Sequence, residues 1–122
     1  MSLLLQDVRH SYALTEVLGG VGLALDVTAA NAAQRIAEEV IPRFGGLDVV
    51  VHNAGVTRDK MLRNMSLQHW DMVLNINLAA ILRINETLLE GTLRDGARLV
   101  CISSIGGIGG NAGQTNYAAT KA

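Results

Sequence analysis

Aromatic residues are scarce in this 122-residue chain, at 3%: one Trp, two Tyr and one Phe. So few rings do not furnish a surface for stacking bases or sugars. There is one cysteine, Cys101, which forms no internal disulfide and no metal cluster. The histidines, His10, His52 and His69, lack ligand-like spacing, so no metal site is expected. Neither sign of charge dominates: ten basic and eleven acidic side chains leave a formal charge of -1. That balance provides no basic footprint for nucleic acid and no polyanionic tail. No apolar run of the sequence reaches membrane-spanning length, and Met1–Leu5 is too short for a signal peptide. A cytoplasmic chain without a membrane or nucleic-acid partner is the expectation.

What is present is apolar matter and glycine. Hydrophobic residues make up 49%, enough for a core in one domain at most. The thirteen glycines cluster at Gly19-Gly20, Gly45-Gly46 and Gly106 to Gly113, as punctuation between periodic segments. Val21–Val27 is a short apolar run that predicts a buried parallel strand, and Thr28 suits an N-cap. From Ala29 to Phe44 the apolar positions Ala33, Ile36, Ala37, Val40, Ile41 and Phe44 recur at three and four, an amphipathic helix. Pro42 is expected to disturb its last turn, and Gly45-Gly46 to end it.

Leu47–His52 predicts a second buried strand, and Asn53-Ala54-Gly55 a turn. Ser66 is placed to cap a long helix reaching Leu89, apolar enough to be buried on two sides, against a sheet and against another subunit. Ala97–Ser103 predicts a third strand, followed by a glycine-rich loop and a final helix from about Gln114. Leu3-Leu4-Leu5 resembles the stub of a further strand, and Val8–Leu18 is assigned to a helix. Strands alternating with helices imply βαβ units and a parallel sheet.

Several residues have chemical potential, each with a plainer role beside it. Tyr117 and Lys121 are four apart and share a helix face, where an ammonium favours the phenolate of a neighbouring tyrosine. Such pairs are also common on solvated helix faces. Ser104 closes the third strand, where open α/β sheets bind ligands, or it makes a local turn bond; Ser103 is its competitor. Asn53-Ala54-Gly55 allows a flat ligand close to the backbone, or is a tight turn with Gly55 at positive φ. Asn77 is a poor helix former inside the long helix; it is either buried with a partner or exposed, as Asn75 and Asn85 also qualify to be. Asp26 accepts from a ligand amine or favours the next helix dipole. Gly20-Val21-Gly22 is not a dinucleotide loop, because it precedes a strand and has Leu25 where a third glycine is required.

Together these residues resemble the short-chain dehydrogenase/reductase family over about residues 20–122. Leu25-Asp26-Val27 resembles the strand end that contacts adenine, and His52-Asn53-Ala54-Gly55 the NNAG motif with its first asparagine replaced. Asn77 resembles the family's helix asparagine, and Ser104, Tyr117 and Lys121 its Ser-Tyr-x-x-x-Lys set. The stretches HNAGVTRDKMLRNMSLQHWDMVLNINL and GGNAGQTNYAATKA are similar to the branch reducing 3-oxoacyl thioesters of acyl-carrier protein or CoA.

The resemblance implies a Rossmann-like, doubly wound parallel sheet, here its central portion only, with residues 1–122 a single partial NAD(P)-binding domain. It implies Tyr117 as proton donor, Lys121 beside the nicotinamide ribose, Ser104 orienting the substrate carbonyl and Asn77 holding a water. Asp26 and Val27 would flank adenine; Asn53, Ala54 and Gly55 would line the cofactor, NADPH or NADH. Complete members are expected to be homo-oligomers.

The family's TGxxxGxG turn after the first strand is not found, so the chain is expected to be an internal fragment. Asp7 is a candidate for the cofactor-selecting strand end, which the spacing leaves open. Without the TGxxxGxG turn and the rest of the scaffold around Tyr117 and Lys121, the isolated chain is expected to have little or no activity; the competing expectation is a catalytically inactive truncated chain that associates with full-length reductase subunits through the apolar face from Leu67 to Leu88. A methyltransferase-like protein would need its own glycine loop and has none.

Overall fold

The computed structural model describes residues 9–12, 15–19 and 23–122. β1 (Arg9–Tyr12) and β2 (Thr15–Gly19) pair antiparallel, with a register slip between His10 and Ser11. The helix expected over Val8–Leu18 is therefore incorrect. Ala13, Leu14, Val17 and Leu18 do recur at three and four, but the pattern covers barely one turn, and Tyr, Thr and Val favour a pleated backbone. The Leu3–Leu5 stub, Asp7 and the Gly20-Val21-Gly22 pattern lie outside the described residues.

The strand expected over Val21–Val27 shrinks, in its described part, to an isolated bridge at Leu25. Leu25 and Val27 still pack on the core, so the apolar run recorded burial rather than a ladder. What ends the extension is a turn. The Asp26 carboxylate accepts from the Thr28 N–H at 2.9 Å and the Thr28 hydroxyl at 2.8 Å, and the Asp26 carbonyl accepts from the Ala29 N–H at 3.1 Å. Thr28 is thereby used in the turn and does not cap the helix. Helix α1 (Ala32–Phe44) starts behind Asn31, later than the expected Ala29. Pro42 lies within its last turn without ending it, because proline removes one N–H and its ring is accommodated. Gly45, at φ 73°, closes α1 with its N–H on the Ile41 carbonyl at 2.9 Å.

β3 (Leu47–His52) forms with the expected bounds, though with Val49 and Val51 exposed where a buried strand was expected, and runs parallel to β4 (Leu93–Cys101). The crossover between them is α2 (Leu67–Leu74), a π-helical turn (Asn75–Ala79) and α3 (Ala80–Leu89). Ser66 caps α2, its hydroxyl accepting from the His69 N–H at 3.2 Å. β4 begins at Leu93, not Ala97, because the Leu47 N–H already bonds the Thr92 carbonyl at 2.8 Å. The turn-like Asp95-Gly96 then forms a bulge, with Gly96 at φ 78°, and pairing resumes at Val49 with Arg98. β4 stops at Cys101, not Ser103, since β3 ends at His52, whose carbonyl takes one last N–H from Ile102 at 3.3 Å. The expected glycine-rich loop contains α4 (Ile105–Gly109), which Ser104 caps; α5 (Thr115–Lys121) follows.

The core lies on one face of this parallel pair. Ala32 and Ala33 of α1 meet Ile84 and Leu88 of α3, with Leu47, Val50 and Leu93 packed beneath. Val73, Asn77, Ala80, Ile84 and Leu88 form the buried stripe of the long helix. Its second face, expected to meet another subunit, is exposed in the single chain at Leu67, Leu78, Leu82 and Leu89, as are Val49 and Val51 on the sheet's other side. The 23 residues Leu67–Leu89 are long and apolar enough to cross a bilayer by length and composition alone. That departs from the expectation that no such run exists. The helix nonetheless packs its stripe against the strands and carries Asp71, Arg83 and Glu86. Helices flanking a parallel pair make this a partial Rossmann-like α/β fold.

Candidate active site

The ends of β3 and β4 lead to the same corner, where α5 and the middle of the long helix meet them. Asn77 is 1% exposed, which settles its two readings in favour of burial. Its amide makes three hydrogen bonds: Oδ1 accepts from the Val56 N–H at 2.9 Å, and Nδ2 donates to the Val56 carbonyl at 2.9 Å and to Thr120 Oγ1 at 3.1 Å. Asn77 thus pairs with the strand-following loop as another backbone segment would. The π turn carries it there, a distortion common where helices serve a site. Asn75 remains exposed, accepting from Arg83 at 3.0 Å, and Asn85 lies 2.7 Å from His52 Nε2.

Gly55 does not adopt positive φ, so the tight-turn reading fails. A Cβ on Gly55 would stand 3.3 Å from Asn77 Oδ1 and 3.7 Å from Lys121 Nζ. Its lack of a side chain therefore lets the loop approach both groups. Lys121 is 7% exposed, and its ammonium donates to the Ile102 carbonyl at 2.7 Å. Tyr117, one turn earlier on α5, is half-buried, as is Ser104. The structure separates the two serines. The Ser103 hydroxyl donates to the Lys121 carbonyl at 2.6 Å, whereas Ser104 Oγ accepts the Gly106 N–H at 3.2 Å and keeps its own proton to donate.

Beside this corner lies a cavity of about 440 Å³ lined by Leu23, Leu25, Asp26, Val27, Thr28, Asn53, Ala54, Gly55, Val56 and Ile76. Every residue assigned from the sequence to the adenine side and the NAG turn lines it. The Thr28 N–H, and then its hydroxyl, hold the Asp26 carboxyl below its ordinary range; like any carboxylate at neutral pH it is ionised and accepts hydrogen bonds. Apolar walls with one anionic acceptor at the rim suit a flat base with an exocyclic amine. Among the described residues no cluster of His, Cys, Asp or Glu is placed to hold a metal ion.

Two participants escaped the sequence reading. Thr120 joins Asn77 to α5, its hydroxyl donating to the Tyr117 carbonyl at 2.8 Å. A threonine bonding back along its own helix leaves no pattern in sequence. Asn116 is fully buried and donates to the carbonyls of Arg58 at 3.2 Å and His69 at 3.4 Å. The argument that singled out Asn77, a poor helix former inside a helix, also applied to it. Lys60 and Gln114 complete the same seam. The Lys60 N–H bonds the Gly113 carbonyl at 2.8 Å, and Gln114 bonds Asp59 at 2.9 Å.

A parallel pair with a helical crossover, a cleft at its strand ends and a Tyr-x-x-x-Lys helix beside that cleft agree with the family comparison. The family profile described as short chain dehydrogenase matches residues 12–122, and the chain belongs to that family. It is 41% identical to the 3-oxoacyl-[acyl-carrier-protein] reductase FabG of Vibrio harveyi over 113 residues, covering 90% of this chain and 46% of that protein. The reductase of the same name from Thermotoga maritima is 39% identical over 99 residues, with 80% and 40% covered. That of Escherichia coli is 35% identical over 113 residues, with 90% and 46% covered. The chain spans less than half the length of these curated relatives.

Proposed function

We propose that residues 1–122 form part of an NAD(P)-binding domain that reduces 3-oxoacyl thioesters, carried by acyl-carrier protein or CoA, to 3-hydroxyacyl thioesters in the cytoplasm. The observation that carries this reading is the convergence of Lys121, Asn77 and Gly55 at the mouth of the cleft that Asp26, Val27, Asn53 and Ala54 line. The names of the similar proteins support the substrate class. The cleft's apolar walls and its Asp26 acceptor fit the adenosine half of NADPH, with NADH the alternative. The nicotinamide, when bound, supplies the hydride.

The chain's own groups do the rest. The Tyr117 hydroxyl donates the proton to the carbonyl oxygen as it becomes an alcohol. Ser104 donates its unengaged hydroxyl proton to the same oxygen and orients it. Lys121, anchored on Ile102, presents its remaining N–H groups to the ribose. Asn77 holds the Val56 loop and, through Thr120, the α5 backbone.

The test is reduction of a 3-oxoacyl thioester by the purified chain, followed by loss of reduced-nicotinamide absorbance. The expected result is turnover with NADPH that falls by about 100-fold or more in Tyr117→Phe. Turnover unaffected by Tyr117→Phe overturns the assignment of the proton donor. A second reading, a non-catalytic chain that joins complete subunits, is favoured by the exposed Leu67, Leu78, Leu82 and Leu89. A chain without turnover that co-elutes with a complete reductase of the family supports this second reading instead.

A further inference from the structure

The segment after β4 holds Lys121 at two points from consecutive residues. The Ile102 carbonyl accepts from the ammonium at 2.7 Å, and the Ser103 hydroxyl donates to the main-chain carbonyl of the same lysine at 2.6 Å. Ile102 is itself fixed, its N–H reaching the His52 carbonyl at 3.3 Å across the parallel pair. A third contact closes the arrangement: a Cβ on Gly107 would lie 2.3 Å from the Lys121 carbonyl oxygen, so the α4 backbone rests directly on it.

A lysine has a flexible four-carbon stem, and one hydrogen bond at its tip leaves the other end free to shift. Fixing the carbonyl as well fixes the origin of the stem. We propose that Ser103 is a positioning residue that sets where Lys121 presents its ammonium, acting through the lysine main chain. The proposal rests on the reading of Lys121 as a site residue. It gives the two adjacent serines separate tasks: the Ser103 proton is committed to Lys121, and the Ser104 proton is left for substrate.

The chain has only two lysines, Lys60 and Lys121, so isotope-labelled lysine gives two sets of NMR signals with Lys60 as internal reference. Val and Thr have similar shape and differ in the hydroxyl. Ser103→Val is expected to move the Lys121 carbonyl-carbon and ammonium signals while Lys60 stays put, and Ser103→Thr to restore them. Ser103→Ala is the second hydroxyl-free variant should Val fail to fold. In the reductase assay the hydroxyl-free variants are expected to lose roughly 10- to 100-fold in kcat with KM held. Unmoved Lys121 signals without the hydroxyl, or no restoration by Thr, overturn the proposal. A parent chain without turnover counts against the reductase reading alone, because the Lys121 signals still report the contact.

Discussion

Asn77 and Asp26 show what a single residue can reveal before its contacts are known. Asn77 was conspicuous because asparagine costs a helix roughly half a kcal/mol relative to alanine. Its three hydrogen bonds to Val56 and Thr120 account for its presence there. Thr120 and Ser103 were not conspicuous, because a hydroxyl bonding a backbone carbonyl fits almost any local sequence. The sequence admits Asp26 as a ligand acceptor or as a helix-dipole charge; its bonds to Thr28 make it a turn residue that also faces the cleft. Its depressed pKa means the turn is stabilised above the unfolded-state pKa and weakens as pH falls through the lower folded value. Thr28→Val removes the hydroxyl and keeps the larger contribution, the N–H. The Asp26 carboxyl is then expected to titrate part of the way back toward 3.8 in an NMR pH series. An unchanged or lower value would contradict the account of this turn.

At the scale of elements, legibility followed periodicity. The repeat at three and four gave most of α1 and the long helix, and the β-branched run gave β3. What failed was local hydrogen bonding overriding composition. The Asp26–Thr28 turn stopped an apolar run from forming a ladder, and the bulge at Gly96 let β4 reach back to Leu93 through a turn-like sequence. α4 was the least visible, since three of its five residues are glycine. The Ser104 cap and the contact of Gly107 with the end of α5 explain its formation. Gly107→Ala places a methyl group against the Lys121 backbone and is expected to destabilise the chain by about 1–3 kcal/mol in urea denaturation. The same substitution at Gly109, where a Cβ meets nothing, is the matched control. Equal stability of the two variants would mean that α4 does not pack on α5 as described.

For the molecule as a whole, the family and the cleft were legible because their residues come in a fixed order: Asp26, Asn53 to Gly55 and Ser104 after extended segments, then Tyr117 and Lys121 one turn apart on α5. The exposed Val49, Val51, Leu67 and Leu82 were not, because apolar composition says that a face wants cover and not which neighbour covers it. The central claim is that these residues form a dinucleotide site within this chain. Its most direct measurement is thermal unfolding of the purified protein against increasing NADPH, with NADH in parallel. The account predicts a cooperative transition that rises with cofactor, about 2.7 kcal/mol of added stability at a hundredfold excess over Kd. It also predicts that the rise is lost in Gly55→Val, whose side chain would crowd Asn77 and Lys121. A cooperative transition that neither cofactor moves would contradict the account.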